Sequence, residues 1–357
     1  MARLGGDEFL VILEELSSNE EEATAQAELV VEKIRDQLRQ SHMLGKAKYS
    51  STASIGIALF SGDQESEEEL LKHADIAMYQ AKTAGRDTHR FYEPAMTVAI
   101  NERALMEEEL RQAYIGNQFC LYFQIQLDHQ NNAIGAETLL RWMHPERGIV
   151  PPYSFIELAE ETGLIVPMGI WVLESACAQL KIWQQSELTS GLTLAVNVSA
   201  RQFRQPDFVY QIKRILQESG AGPSRLKLEL TESTVLENVG ETIEKMNELR
   251  QIGVTFSMDD FGTGYSSLQY LKRLPLDQIK IDQSFVRDIT TDPNDAVIVQ
   301  TIIAMGMAMK LNVIAEGVET EGQRSFLLQH GCEAFQGYLF SKPIPLDEFE
   351  TLLNSRA

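Results

Sequence analysis

The sequence predicts an α/β chain in which a (β/α)8 barrel of the TIM type, with an antiparallel first strand, follows an incomplete α+β segment. Three observations carry this expectation. Eight apolar stretches of strand length recur, at 119–127, 134–142, 192–199, 226–230, 254–258, 278–281, 312–315 and 334–340. Helical spacing fills nearly every interval between them, at 154–183, 207–219, 241–252, 295–310 and 320–330. Only the polar turn 128–132 separates the first two strands, which is too short for a crossover and makes that pair antiparallel.

Taken in order, the chain starts almost inside a turn, Leu4-Gly5-Gly6-Asp7-Glu8, that feeds the apolar run Phe9-Leu10-Val11-Ile12-Leu13. Nothing precedes that turn for the strand to pair with. Ser17-Ser18-Asn19 can cap a helix over 20–40, whose first-turn acids Glu20-Glu21-Glu22 match the helix dipole. Residues 54–60 read as a strand and 67–84 as a helix that stops at Gly85. From 93 to 113 an irregular stretch through Pro94 gives way to a charged helical run, Glu107-Glu108-Glu109-Leu110, suited to a lever or spacer between domains.

The 357 residues leave room for two domains, and 44% hydrophobic with 23% charged residues is the composition of a globular protein. A formal net charge of -21 excludes sequence-independent binding to a nucleic-acid polymer, because no basic stripe can displace counterions from phosphates. Cys120, Cys177 and Cys332 lie in apolar surroundings without metal-ligand spacing and read as buried small hydrophobes in a reducing cytosol. The most apolar stretches, 164–173 and 301–309, are too short to cross a bilayer. The expectation is a cytoplasmic chain without membrane contact of its own, though a longer parent could be membrane-tethered.

The chain is organised around Ser257-Met258-Asp259-Asp260-Phe261-Gly262-Thr263-Gly264-Tyr265-Ser266-Ser267-Leu268. Two adjacent carboxylates stand where a strand stops, ahead of helical spacing at 268–274, and they repel unless a cation neutralises them. Other strands also end in polar groups. Glu137 and Arg141 share one strand face while Thr138, Leu140 and Trp142 take the other. Asn197, Glu229, Lys280, Glu316 and Gln336 each interrupt or end an apolar strand, at the carboxyl rim where barrels carry their chemistry. Acids collected there without a cation would each be several kcal/mol unfavourable. Oxygen-rich ligation suits Mg²⁺ or Mn²⁺ rather than zinc, and none of the six histidines stands beside these acids.

Two resemblances follow from ordered motifs. Arg3-Leu4-Gly5-Gly6-Asp7-Glu8-Phe9, Ser54-Ile55-Gly56-Ile57-Ala58 and Ala74-Asp75-Ile76-Ala77-Met78-Tyr79-Gln80-Ala81-Lys82-Thr83-Ala84-Gly85-Arg86 resemble the later part of a GGDEF domain, the diguanylate cyclase family. The resemblance implies that Gly5 and Gly6 admit GTP, that Asp7 beside Glu8 helps hold a metal, and that Lys82 and Arg86 contact phosphates. The family's first strand, with its metal-binding Asp and the guanine-recognising residues after it, has no counterpart here. Cyclase activity is therefore not expected of this chain.

From residue 103 onward the chain resembles an EAL domain, the cyclic di-GMP phosphodiesterase family. The matching motifs are Glu137-Thr138-Leu139-Leu140-Arg141-Trp142, Asn197-Val198-Ser199, Glu229-Leu230-Thr231-Glu232, Asp259-Asp260-Phe261-Gly262-Thr263-Gly264, Lys280-Ile281-Asp282, Ala315-Glu316-Gly317-Val318-Glu319 and Phe335-Gln336-Gly337-Tyr338. The expected layout is residues 1–93 as GGDEF remnant, 94–113 as linker and helix, and 103–357 as EAL domain. By this resemblance Glu137, Asn197, Glu229 and Asp259 hold one metal, and Asp259, Asp260 and Glu316 a second. Lys280 orients the attacking water, with Glu316 as a candidate base. Gln124, Arg141 and Gln336 contact cyclic di-GMP, while Glu232 and Glu319 support the loop 261–267. Attack on phosphorus in line with the departing 3′ oxygen would give linear pGpG.

Two residues depart from the family pattern. The namesake alanine is Thr138, which strand alternation turns away from the metal face, and the usual Tyr-Gln-Pro is Phe123-Gln124-Ile125, which bears on the placement of Gln124. A non-catalytic cyclic di-GMP receptor is the alternative reading, and a homodimer through the EAL domain is compatible with both.

Overall fold

The computed structural model describes residues 1–45, 47–62, 65–236, 238–263 and 271–356. The chain divides into two compact units, Met1–Met106 and Glu107–Ala357.

In the first unit, strands β1 (Ala2–Gly5) and β2 (Glu8–Leu10) form an antiparallel hairpin. The residues ahead of the Gly-Gly turn therefore do supply a pairing partner, because four residues suffice for one side of a hairpin. β3 (His42–Leu44) and β4 (Ala47–Tyr49) form a second hairpin, and β5 (Ile55–Ile57) runs parallel to β6 (His89–Phe91). Helix Glu20–Arg39 is capped by Asn19, whose side chain accepts from the Glu22 N–H at 3.2 Å, and Ser66 with Glu69 forms a capping box on helix Glu67–Thr83. Helix Pro94–Ile115 begins at Pro94 itself instead of after an irregular stretch, since a first-turn proline lacks only an N–H that the helix does not use.

The second unit is a closed barrel of eight strands: β7 (Phe119–Asp128), β8 (Ala133–His144), β10 (Thr193–Asn197), β11 (Leu226–Thr231), β12 (Thr255–Phe261), β13 (Gln278–Ile281), β14 (Asn312–Ala315) and β15 (Ala334–Phe335). The sheet runs from β10 in sequence to β15, continues through β7 to β8, and closes where β8 pairs with β10. β7 is antiparallel to both of its neighbours, as the short turn after it requires. That turn is held by Asp128, whose Oδ1 accepts the N–H groups of Gln130 and Asn132, each at 2.8 Å.

Outward side chains of the strands meet helices such as Ile165–Trp183 and Pro293–Met309 in one continuous core. Trp142, on the outward face of β8, is fully buried edge-on to Phe155 at 5.8 Å, and its indole N–H donates to Gln118 at 3.0 Å. Burial of that ring alone is worth about 2–3 kcal/mol.

The structure revises several element boundaries. Gly163, with φ 83°, splits the predicted 154–183 helix into Ile156–Thr162 and Ile165–Trp183. The second piece is 19 residues, long and apolar enough to cross a bilayer by length and composition, so the expectation that this stretch is too short does not hold. Half of it is nonetheless buried in the barrel's helical layer, with Val172, Leu173, Ala176, Cys177, Leu180 and Trp183 in the core. β8 gains a short hairpin partner, β9 (Gly148–Val150), that the sequence reading omits. β15 stops after two residues because the chain turns at Gly337, whose carbonyl accepts the Phe340 N–H at 3.1 Å and the Ser341 N–H at 3.2 Å. Cys177 and Cys332 are buried and Cys120 partly buried, all as free thiols.

Candidate active site

The carboxyl ends of the barrel strands bring their polar residues together around Lys280. Its side chain is 1% exposed, and its Nζ lies 2.6 Å from Glu229, 3.0 Å from Asp259 and 3.5 Å from Glu137, with Glu316 also in direct ion-pair contact. Strand alternation explains the convergence: each residue occupies an inward position of its own strand, so residues from β8, β11, β12, β13 and the end of β14 project to one centre. Burial works against the charged ammonium, but Asp259, Glu137, Glu229 and Glu316 together overcome it and hold Lys280 well above the ordinary lysine range. Desolvation pushes the Glu229 carboxyl up to about 8, against the pull of Lys280. Glu316 is raised well above the usual carboxylate range, again mainly by burial.

At the end of β12 the register against β13 shifts between Met258 and Phe261, and Asp260 adopts φ 52°. This left-handed residue breaks the alternation that would send Asp260 outward, and an aspartate tolerates it better than a bulky residue. Burial first, then the charges of Asp259 and Asp282, raise Asp260 to about 6.

A second tier surrounds Glu137. Asn197 donates to its Oε1 at 2.6 Å and Gln336 to its Oε2 at 2.5 Å, while the same Gln336 amide donates to Gln124 Oε1 at 2.9 Å. Gln124 in turn donates to the Ser341 carbonyl at 3.1 Å.

Among the described residues, no three acidic, His or Cys side chains form a ready-made metal cage, because the acids close on the lysine ammonium instead. The donor set nevertheless fits hard divalent cations. Four carboxylates face a single ammonium, the flanking donor is an amide, and Glu229 Oε1 is buried without a hydrogen-bond partner among the described residues.

Other expected residues stand apart from this centre. Arg141 lies over the Tyr122 ring at 5.4 Å and donates to the Leu140 carbonyl, on the same strand face as Glu137 but without bonding to it. Thr138 points outward as predicted and donates to the Ala195 carbonyl at 2.8 Å. Glu232 is buried, and neither of its oxygens has a hydrogen-bond partner among the described residues. Glu319 is exposed, and its backbone N–H donates to Gln323. The loop these two acids are expected to support, and the helical spacing after it, fall largely on residues 264–270, outside the described residues. In the first unit, Gly5, Gly6, Asp7 and Glu8 form the exposed turn of the β1–β2 hairpin, and Lys82 and Arg86 are exposed at the end of helix Glu67–Thr83. No hydrogen bond or ion pair joins the two groups among the described residues.

Beneath the acids lies a polar layer that no strand-end signal marks in the sequence. There Gln126 donates to Gln336, and the buried Lys227 donates to Gln278 at 2.7 Å. Each sits two residues before or after a site residue on the same strand, and that spacing is the signal that would have found them.

The EAL domain family matches residues 107–343, and the family described as diguanylate cyclase, GGDEF domain, matches residues 1–88. The chain is 41% identical over 349 residues to the bifunctional diguanylate cyclase/cyclic di-GMP phosphodiesterase MucR of Pseudomonas aeruginosa, covering 98% of this chain and 50% of that protein. It is 38% identical over 350 residues to the cyclic di-GMP phosphodiesterase PdeR of Escherichia coli, covering 98% of this chain and 52% of that one. The chain thus spans about half the length of the curated relatives it matches. Among solved structures, the PaMucR phosphodiesterase in complex with c-di-GMP is similar at TM-score 0.67 and 42% identity, over 69% of this chain and 99% of that one. The EAL domain of Mycobacterium smegmatis DcpA is similar at TM-score 0.57 and 35% identity, over 67% and 97%.

Proposed function

The chain belongs to the EAL-domain family, with a GGDEF-type stretch ahead of the barrel, and from that premise we propose that it hydrolyses cyclic di-GMP to linear pGpG. The observation that carries the proposal is the convergence of Glu137, Glu229, Asp259 and Glu316, from distant parts of the chain, on Lys280 at one rim of the barrel. Glu137, Asn197, Glu229, Asp259, Asp260 and Glu316 would hold two divalent cations, Mg²⁺ or Mn²⁺. Bound there, such cations would offset the phosphodiester charge and acidify water.

The protein's own groups divide the remaining work. Lys280, held charged by the acids around it, donates to the attacking water and orients it; it cannot serve as the base. Glu316, in direct contact with Lys280 at the rim, is the candidate to take the water's proton. Gln124, Gln336 and Arg141 would grip the substrate; the first two are hydrogen-bonded to each other, and Arg141 lies over the Tyr122 ring. Glu232 and Glu319 would support the loop that follows Asp260. The GGDEF-type stretch, 1–93 with linker 94–113, carries no part of this reaction.

Incubating the purified chain with cyclic di-GMP and Mg²⁺ or Mn²⁺, beside an Asp259→Asn control, tests the proposal. Formation of pGpG by the wild type alone supports it; intact ligand bound equally by both proteins would replace it with a receptor. Cytoplasmic residence is part of the same reading, supported by the free Cys177 and Cys332. Pairing of two copies through the barrel is decided by sedimentation.

A further inference from the structure

Building on the hydrolase reading, we infer that Gln126 is a positioning residue that fixes the orientation in which Gln336 meets the substrate. Gln126 follows Gln124 by two residues on β7, so it faces the barrel interior one layer below the acids, and it is fully buried. Its Nε2 donates to Gln336 Oε1 at 2.9 Å.

The direction of this bond is forced from both ends. The Glu137 carboxylate and the Ser341 carbonyl can only accept hydrogen bonds. Gln336 must therefore aim its Nε2 at Glu137 Oε2, 2.5 Å away, and at Gln124 Oε1, 2.9 Å away, while Gln124 turns its own Nε2 to Ser341 at 3.1 Å. That leaves Gln336 Oε1 facing down the barrel, where only a donor can meet it. Turning over any one amide sets two like groups against each other. Gln126 closes the chain of amides from below.

The cross-strand partner of Gln126 is Gly135, where a Cβ would collide with Thr193, 2.5 Å from its Oγ1 and 2.6 Å from its carbonyl oxygen, and would touch Gln126 Oε1 at an ordinary 3.4 Å. Gln126 Oε1 itself has no hydrogen-bond partner among the described residues. The bond that Gln126 does make is therefore the one from its donor side. Holding Gln336 from below also bears on Ile125, which stands between Gln124 and Gln126 where the family has proline: the linked amides place Gln124 without a rigid neighbour.

The test compares the full chain with Gln126→Leu, Gln336→Ala and the double variant, by steady-state hydrolysis of cyclic di-GMP and by NMR of side-chain amides in the free protein. Gln126→Leu should raise KM about tenfold with kcat changed less than about twofold, and should add nothing in the Gln336→Ala background. The Gln336 side-chain amide protons should exchange at least about tenfold faster in Gln126→Leu than in the wild type. Unchanged exchange, or a loss of activity that persists in the Gln336→Ala background, overturns the positioning role and leaves the hydrolase reading standing. Protected amides in a wild type that cleaves no cyclic di-GMP sink the hydrolase reading instead.

Discussion

Replacing Lys280 with methionine removes the ammonium that Glu137, Glu229, Asp259 and Glu316 share. Taking one partner from a buried ion pair typically costs about 3–5 kcal/mol, because the remaining charge is left without compensation. Here the stranded groups are acids, which can escape by binding protons, so the loss must depend on pH. Glu229 titrates near 8 in the fold, against an ordinary value of 4.5. An acid raised in this way favours folding fully below its unfolded value and loses that contribution as pH rises through its folded value. Lys280 lowers the Glu229 value, so the variant shifts it further up and the proton substitutes for the lysine over a wider range. In chelator, the variant should lose about 3–5 kcal/mol relative to wild type near pH 8.5 and only about 1–2 kcal/mol near pH 5.5. Urea unfolding of both proteins at the two pH values measures this directly. Adding Mn²⁺ near pH 8.5 should restore part of the loss, since a divalent ion supplies the missing charge. Equal losses at both pH values, or a loss under about 1 kcal/mol at the higher one, would refute the idea that Lys280 is the cluster's counter-charge.

Thr138→Ala restores the residue after which the family is named; removing the bond to the Ala195 carbonyl should cost about 1 kcal/mol in thermal unfolding and leave kcat/KM within about twofold. Asp260→Gly should relieve the left-handed backbone and stabilise the chain by about 1 kcal/mol while lowering kcat at least about a hundredfold, and a stable, active variant would show that the carboxylate is dispensable. Glu229→Gln should abolish turnover, yet in chelator it should unfold at higher urea than wild type above about pH 8, where the buried Glu229 is charged; a midpoint below wild type there would count against its raised value. Chelation should stop hydrolysis by the wild type, and returning Mg²⁺ or Mn²⁺ should restore it; turnover undiminished after exhaustive chelation would remove the cations from the scheme.

The acids were legible because each interrupts, ends or follows an apolar strand, a local signal that survives without knowledge of the partner. Asp259 and Glu229 needed only the strand period and the rule that barrel rims carry chemistry, whereas Asp260 is turned against that period by its left-handed backbone. Thr138 could be turned outward by the same period, and its bond to the Ala195 carbonyl bears that out. What the sequence could not show is who satisfies whom. Lys280 reads as a lone lysine in a strand, and nothing local reveals that four acids hold it or that they close on it instead of forming a cage. Gln126 is harder still, because its role depends on Gln336, 210 residues away. The boundary errors share a cause with these omissions. β15 ends after two residues because the Gly337 carbonyl takes up the Phe340 and Ser341 N–H groups in a turn, which no propensity for strand over 334–340 could anticipate. Local pattern thus determines which residues reach the rim, while hydrogen-bond direction, fixed by acceptor-only groups such as the Glu137 carboxylate and the Ser341 carbonyl, determines which way each of them faces once there.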